Sequence, residues 1–202
     1  MEHLTRPGCL IMAAGNASRF RANKLAAEFD GKALFRRAME AVPAALFERV
    51  VVVTQYSEIM TAAAEFGFDV IRNSHPDYGI SHTIRLGTQA LADCGGILYM
   101  VADQPLLVAD SVARVVRAWQ AQPEYIAGAA HRGKRGNPNL FPRDFFPELL
   151  ALTEDHGGSA VIRAHPERFL PVEVAPEELA DVDTPQALRE LVSQHDQKVS
   201  AQ

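Results

Sequence analysis

The sequence has few cysteines, no long apolar run and no excess of basic residues. Cys9 and Cys94 are its only cysteines and lie far apart in the chain, so neither a disulfide framework nor a zinc site is indicated. No run reaches the roughly 18 apolar residues that a membrane-spanning helix needs, and the acidic Glu2 disfavours a signal peptide. The net charge of −5 disfavours nonspecific nucleic-acid binding. We therefore expect a soluble, cytoplasmic protein that binds neither membranes nor nucleic acids.

Strand and helix patterns alternate along the chain. Continuous apolar runs at residues 10–14, 50–54 and 97–102 are typical of strands buried on both faces, and weaker candidate strands lie at 68–71, 125–129 and 169–174. Helical spacing of apolar residues occurs at 35–42, 59–66, 112–119 and 188–192, with Asp110 or Ser111 placed to cap the third of these helices. This alternation predicts an α/β fold with a mainly parallel sheet.

The length of 202 residues fits one compact domain. We expect a single domain over residues 1–202, with its core at about 9–192 and a polar, frayed tail from about residue 193. In open α/β sheets, ligands bind beyond the carboxyl ends of the strands. This rule directs attention to the residues that follow Ala14, Thr54 and Ala102.

The segment after the first predicted strand reads AAGNASRFRANK, from Ala13 to Lys24. Its small residues, including Gly15, allow backbone N–H groups to approach a phosphate closely. Arg19, Arg21 and Lys24 place three positive charges within six residues, where a bound anion would relieve their repulsion. The segment therefore suggests a phosphate site, although a surface loop with solvated basic residues also fits.

Two aspartates stand at the ends of predicted elements, and the first of them suits a metal ion. Asp103 ends the third apolar run, where Pro105 forces the chain out of the strand, and a buried carboxylate there needs a cation or several N–H donors. Asp183 lies just before Pro185 and the last predicted helix. Mg²⁺ prefers one or two carboxylates together with phosphate oxygens and water. Helix or turn capping by Asp103, and by Asp183 or Thr184, remains the alternative.

Two further segments are rich in glycine. Residues 73–87 contain Gly79 and Thr83, in a turn that enters a predicted helix whose N-terminus can hold an anion. Residues 131–138 read HRGKRGNP, and their cations suit an anionic ligand. An ordinary capped helix and an exposed hairpin are the respective alternatives.

These segments, in this order, resemble the motifs of the MobA-like nucleotidyltransferases. The first is similar to AAG-x-S-x-R-M-G-x-x-K, which Gly15, Arg19 and Lys24 match, whereas Ala17 replaces Ser and Arg21 replaces Gly. The string ADQP at 102–105 resembles the family's G-D-Q/M-P, and DVDTP at 181–185 resembles D-I-D-T-P.

The remaining matches extend the resemblance over most of the chain. Gly79, Thr83 and Gly87 fit N-P-x(n)-G-x-x-x-S-L-x-x-G, with Thr in place of Ser. Gly136 and Pro138 fit G-x-x-G-x-P-v-L-F. The segment at 154–159 takes the place of G-D-x-G, with Glu154 where the family has Gly and Asp155 as its acidic residue.

The resemblance implies a three-layer α/β sandwich of the Rossmann-like, GT-A-like nucleotidyltransferase fold. It implies transfer of a nucleotide from a nucleoside triphosphate to a phosphorylated acceptor, with release of pyrophosphate. Lys24, Arg19 and Asp103 would be catalytic, and Asp103 and Asp183 would hold Mg²⁺ or Mn²⁺. The residues implied in nucleotide binding are Ala13, Ala14, Gly15, Arg19, Arg21, Lys24, Thr83 and Asp103. Those implied in acceptor binding are Arg135, Gly136, Asn137, Pro138 and Asp155.

The opening AAG is similar to the cytidylyl-transferring branch of the family, which acts on molybdopterin. We therefore expect CTP rather than GTP as the donor and molybdopterin as the acceptor, in molybdenum cofactor biosynthesis. An apo-molybdoenzyme or its chaperone would then receive the product. A sugar-phosphate nucleotidyltransferase is the alternative enzyme. Because Arg21 replaces Gly, a non-catalytic carrier or regulator that binds nucleotide is the alternative of another class.

Overall fold

Strands and helices alternate in the computed structural model, which describes residues 6–15 and 23–200. The strands are β1 (Gly8–Ala13), β2 (Glu28–Phe29), β3 (Lys32–Ala33), β4 (Val50–Thr54), β5 (Asp69–Arg72), β6 (Gly96–Val101), β7 (Ile126–His131), β8 (Lys134–Pro142) and β9 (Phe169–Glu173). The α-helices are α1 (Leu34–Glu40), α2 (Ser57–Glu65), α3 (Ile80–Ala90), α4 (Ala109–Ala121), α5 (Phe146–Leu150), α6 (Gly158–Ala164) and α7 (Pro185–Ser200). All six strands expected from the sequence are present.

The described residues form a seven-stranded sheet in the order β5-β4-β1-β6-β8-β7-β9. β8 runs antiparallel to β6 and β7, and the other neighbours pair in parallel. Successive side chains of a strand point to opposite faces, so Leu10 joins one apolar cluster and Ile11 the other. Residues of α1, α2 and α4 complete the cluster around Ile11, and residues of α3, α5 and α6 complete the one around Leu10. The predicted three-layer α/β fold with a mainly parallel sheet is confirmed.

The antiparallel strand β8 was not expected from the sequence. Its first half contains Lys134, Arg135 and Gly136, a composition that argues against a buried strand, and only its second half is buried. It pairs with β7 through a tight turn at Arg132 and Gly133, both of which have positive φ. The hairpin alternative for this segment is therefore correct at residues 131–134, while residues 135–138 continue into the sheet.

Two expectations about helices were wrong. Asp110 and Ser111 do not cap α4, because the helix already begins at Ala109 and Val108 precedes it without a side-chain cap. Asp110 instead pairs with Arg114, one turn later. The expected frayed tail is helical as far as Ser200.

A small third cluster ties α7 to the hairpin of β2 and β3. Phe29, Leu34 and Val182 are its buried members, and apolar residues of α7 pack against them. The ring of His195, in the polar part of α7, also contacts Phe29, with the ring centroids 5.2 Å apart. Among the described residues, no helix combines the length and the apolar character needed to cross a bilayer.

Candidate functional site

Two adjoining cavities open at the carboxyl ends of the parallel strands. β1 pairs in register with β4 and β6, so the chain exits after Ala13, Thr54 and Val101 lie along one edge of the sheet. The first cavity has a volume of about 380 Å³ and the second about 370 Å³. Met12, Ile80, Val101 and Asp155 line both of them.

Lys24 forms ion pairs with both of the aspartates that the sequence analysis identified. Its Nζ lies 2.6 Å from Oδ2 of Asp103 and 3.1 Å from Oδ1 of Asp183. The Lys24 and Asp103 side chains are mostly buried, with 18% and 15% of their surfaces exposed, whereas Asp183 is 63% exposed. Two carboxylates that are 80 positions apart in the sequence therefore meet on one cation beside the first cavity.

The charges around Lys24 outweigh the cost of burying it. Burial lowers the pKa of Lys24, but the charge and hydrogen bond of Asp103, with those of Asp183, reverse this effect and raise the pKa above its ordinary value. Asp103 also has a second oxygen, Oδ1, that is buried without a hydrogen-bond partner among the described residues. Leaving a buried carboxylate oxygen unpaired costs free energy. Oδ1 is therefore suited to bind a metal cation. The donor set therefore fits a small hard cation such as Mg²⁺.

Asp183 does not cap α7, so its carboxylate is available to pair with Lys24. The Oγ1 of Thr184 accepts a hydrogen bond from the N–H of Ala187 at 3.0 Å, which is the geometry of a helix cap. Of the two capping alternatives, Thr184 is therefore the cap. The N–H of Val182 donates to the backbone oxygen of Asp103 at 2.9 Å, so the chain before α7 is fixed directly to the exit of β6.

Asp181 adds negative charge to the same place. Burial, together with the neighbouring carboxylates of Asp103 and Asp183, raises its pKa to about 6, although a hydrogen bond from Gln104 and the charge of Lys24 oppose this rise. Asp181 lines the second cavity. No group of three or more His, Cys, Asp or Glu side chains forms a metal cage in the described ranges 6–15 and 23–200. A metal ion here would complete its shell with ligand oxygens and water.

Five of the expected nucleotide-binding residues line the first cavity, namely Ala14, Gly15, Lys24, Thr83 and Asp103. Ala13 is buried behind them in β1. Arg19, Arg21 and Ala17 lie outside the described residues. Sequence reasoning missed Leu25, Pro76 and Asp77, which also line this cavity. Asp77 stands two residues before Gly79 inside a segment that the sequence did single out, whereas no pattern marked the other two.

Gly79 and Gly87 allow α3 and the turn before it to pack closely against neighbouring residues beside the first cavity. Gly79 has φ of 79°, and a Cβ there would lie 2.4 Å from the backbone oxygen of Glu154. Glu154, at the position where the family has Gly, has φ of 52°, a left-handed conformation that favours glycine. A Cβ on Gly87 would lie 2.3 Å from the side chain of Leu10. Both glycines permit close approach that a larger residue would prevent.

Thr83 faces the first cavity from α3 and is nearly fully buried. Its Oγ1 accepts a hydrogen bond from Nδ2 of Asn73 at 3.2 Å, while Oδ1 of Asn73 accepts from the N–H of His75. This arrangement leaves the Thr83 hydroxyl hydrogen free to point at a ligand.

The second cavity collects most of the expected acceptor-binding residues. Arg135, Gly136, Asn137 and Asp155 line it, whereas Pro138 is buried in β8 and does not. The guanidinium of Arg135 lies over the ring of Phe169, 5.6 Å from its centroid. Sequence reasoning missed the apolar floor and the remaining polar wall, formed by Ile84, Tyr99, Asn139, Phe141, Ser159 and Ile162. The cavity therefore combines apolar side chains with one cationic side chain, Arg135, and the carboxylates of Asp155 and Asp181.

Comparisons with known proteins agree with this geometry. A family model described as the MobA-like NTP transferase domain matches residues 9–169. Rv0371c from Mycobacterium tuberculosis H37Rv is 22% identical, with a TM-score of 0.78 over 94% of this chain and 99% of that one. A nucleotidyl transferase from Methanothermobacter, Mth528, is 20% identical, with a TM-score of 0.75 over 95% and 98%.

A more distant enzyme has the same architecture. CMP:2-keto-3-deoxy-manno-octonic acid synthetase, solved in complex with CTP, is 16% identical, with a TM-score of 0.73 over 95% of this chain and 99% of that one. At these identities the likeness to solved structures shows the fold alone. A search of curated protein sequences found no match.

Proposed function

Because the chain belongs to the MobA-like NTP transferase domain family, we propose that it transfers a nucleotide from a nucleoside triphosphate to a phosphorylated acceptor. Pyrophosphate is the second product. The observation that carries this proposal is the meeting of Lys24, Asp103 and Asp183 at the mouth of a cavity that Ala14 and Gly15 also line. Cationic, carboxylate and glycine-rich backbone groups are the set that phosphoryl chemistry uses.

The first cavity is assigned to the nucleoside triphosphate and the second to the acceptor. Both are bounded by Asp155 and Val101, so two ligands held there would face each other across a shared wall. Lys24 would hold the phosphates that leave, and Thr83 would donate to the nucleotide. Arg135 and Asn137 would orient the acceptor, with Asp155 at the boundary between them.

No general base is required for this reaction. A phosphate monoester has a second pKa near 6 and is largely ionised at neutral pH, so it is already a nucleophile. The residues therefore contribute by position and charge rather than by proton transfer. This view fits a site whose described members are a lysine and carboxylates.

Asp103 and Asp183 would hold a divalent cation, Mg²⁺ or Mn²⁺. When bound, such an ion supplies positive charge that offsets the charge developing on the α-phosphate. A second structure of Rv0371c, 22% identical with a TM-score of 0.74, is a complex with manganese, which supports a divalent cation in this fold. Lys24 lies between these two carboxylates and would move toward the phosphates when metal and nucleotide bind.

We assign CTP as the donor and molybdopterin as the acceptor. The AAG opening at Ala13 supports cytidine, as does the CTP bound to the synthetase of the same fold. The apolar floor of the second cavity, with Arg135 at its wall, suits a ring system that carries a phosphate. An apo-molybdoenzyme or its chaperone would then receive the product. A sugar phosphate, which has no apolar ring system to place on this floor, is the alternative acceptor.

Thermal unfolding with each of CTP, GTP, ATP and UTP, with Mg²⁺ and with a chelator, tests the donor site. A ligand at 100 times its Kd stabilises the folded state by about 2.7 kcal/mol, which is a shift of roughly 5–10 °C for a chain of this size. We expect a Mg²⁺-dependent shift that is largest with CTP. A well-folded sample that shifts with none of the four would contradict the donor site.

Pyrophosphate release with CTP and molybdopterin, compared with sugar phosphates, tests the acceptor. Asp103→Asn should fold normally and lose nucleotide transfer, because it removes the buried carboxylate that would bind the divalent cation. Asp93→Asn is a matched control, since Asp93 lies before β6 at the opposite edge of the sheet. Retained transfer in Asp103→Asn would remove Asp103 from the site and favour a nucleotide-binding carrier or regulator without turnover.

A further inference from the structure

Three consecutive side chains at the end of β4 donate hydrogen bonds to three consecutive carbonyl groups at the end of β1. They are Oγ1 of Thr54 to Ala13 at 2.9 Å, Nε2 of Gln55 to Ala14 at 2.8 Å, and Oη of Tyr56 to Gly15 at 3.0 Å. Residues 54, 55 and 56 thus bond residues 13, 14 and 15 in the same order. Such an arrangement fixes the direction of each of these peptide groups as β1 leaves the sheet.

This direction differs from that of a strand. In a strand, successive carbonyl groups point to opposite neighbours, and in β1 the odd-numbered Cys9 faces β4, since its N–H donates to the oxygen of Arg49. Ala14 should therefore face β6, yet its carbonyl is turned toward Gln55. The carbonyl groups of residues 13–15 are thus all held by side chains of one short segment, residues 54–56.

The consequence concerns the N–H groups of the same peptides. In a trans peptide, the N–H points opposite to the C=O of the preceding residue. The N–H groups of Ala14 and Gly15 are therefore both turned away from the neighbouring side chains of Thr54 and Gln55. Successive N–H groups on one side of the backbone form a concavity that binds anions. Ala14 and Gly15 line the first cavity, so this concavity belongs to the assigned triphosphate site.

The same corner of the fold also holds the residue before Lys24. Glu58, the second residue of α2, accepts a hydrogen bond from Nδ2 of Asn23 at 2.8 Å. That bond lowers the pKa of Glu58 and keeps it ionised at neutral pH. It also orients the Asn23 amide so that Oδ1 accepts from the N–H of Leu25 at 3.1 Å, which caps the short turn Lys24–Ala26.

We propose that Tyr56 and Glu58 are positioning residues that hold Gly15 and the Asn23–Lys24 turn in the arrangement that binds the phosphates of the nucleotide. Neither residue lines the first cavity, so neither is expected to touch the nucleotide. The proposal rests on the proposed function and names the groups that preorganise its donor site. Burial and the charge of Glu58 raise the pKa of Tyr56, although Lys24 lowers it, so the phenol remains a donor at neutral pH.

Calorimetric titration of the full chain with Mg-CTP, Mg-GTP and inorganic tripolyphosphate with Mg²⁺ tests this role. Tyr56→Phe and Glu58→Ala should each weaken binding about fivefold, the worth of one net hydrogen bond. The loss should be the same for tripolyphosphate as for nucleotide, because only the phosphates contact this backbone. Glu58→Gln keeps an acceptor oxygen and should recover most of the affinity. In the transfer assay, KM for the nucleotide should rise while KM for the acceptor stays constant.

Matched controls separate positioning from general stability. Tyr125→Phe removes a phenol that precedes β7, at the opposite edge of the sheet, and Glu65→Ala removes a carboxylate from the other end of α2. Both should bind the three ligands like the unmodified chain. Unchanged affinity in Tyr56→Phe and Glu58→Ala, or an equal loss in the controls, would overturn the positioning role. An unmodified chain that binds neither nucleotide nor tripolyphosphate would overturn the proposed function itself.

Discussion

At the scale of single residues, Lys24 decides the electrostatics of the site. Its ammonium is held by the mostly buried carboxylate of Asp103 and the exposed one of Asp183. The exposed pair contributes little, because solvent screens it. Asp103 depends on Lys24 far more, since removing one partner of a buried pair leaves an uncompensated charge. Lys24 therefore has a structural role as the partner of Asp103, as well as its proposed role at the phosphates.

Lys24→Met is expected to lower the free energy of unfolding by about 1–3 kcal/mol, because Asp103 loses its cation. The same change should increase the stabilisation that Mn²⁺ gives in the absence of nucleotide, since the ammonium no longer competes for the two carboxylates. Thermal unfolding with and without Mn²⁺ measures both effects. Lys32→Met is the control, because Lys32 pairs with Glu40 on the surface. Equal Mn²⁺ shifts in Lys24→Met and the unmodified chain would contradict this competition.

At the scale of elements, the third apolar cluster connects the two sides of the candidate metal site. Phe29 follows the turn that carries Lys24, and Val182 directly precedes Asp183. Because both side chains are fully buried against α7, the distance between Lys24 and Asp183 depends on how this cluster packs. The hairpin of β2 and β3 therefore helps to position the residues of the site.

Phe29→Ala is expected to cost about 3–5 kcal/mol of stability, the usual effect of truncating a buried phenylalanine. It should also weaken Mg-nucleotide binding, because α7 and the Lys24 turn lose their common contact. Phe47→Ala provides the comparison, since Phe47 is similarly buried but lies just before β4, at the opposite edge of the sheet. Denaturant unfolding and calorimetric titration of both variants check the prediction. Equal nucleotide affinity in the two variants would show that the cluster does not support the site.

At the scale of the whole molecule, the two layers of helices pack on opposite faces of one sheet. The apolar cluster on each face includes alternate residues of the same central strands, such as Val52 on one side and Val53 on the other. Strand β8, which carries Arg135 and Asn137, pairs directly with β6, and β7 and β9 continue the same sheet beyond β8. The two assigned cavities are therefore built on a continuous sheet.

Residues 1–202 are accordingly predicted to unfold as one domain. Denaturation should show a single transition that coincides when followed by far-UV circular dichroism and by the fluorescence of Trp119, which packs between α4 and the sheet. The calorimetric and van't Hoff enthalpies of unfolding should agree. Two separated transitions would instead place the acceptor side in a domain of its own.

The sequence by itself determined the central sheet and the order of the site motifs. Continuous apolar runs such as 50–54 can be satisfied only by burial on both faces, so they predicted parallel strands between helices. The carboxyl-end rule then located Gly15, Lys24 and Asp103 correctly at the edge of the sheet. These inferences succeeded because they depend on local periodicity, which a sequence displays directly.

Only the tertiary structure decided which distant groups meet. No local pattern showed that Asp183 meets Lys24, which lies 159 residues earlier in the chain, while Thr184 caps α7. The contacts of Tyr56 and Glu58 had no sequence signal either, because each partner is a backbone carbonyl or an amide on another element. β8 escaped prediction because pairing on both sides stabilises a strand whose own composition disfavours it. Contacts between elements are set by the packing of the whole chain, and no local pattern encodes them.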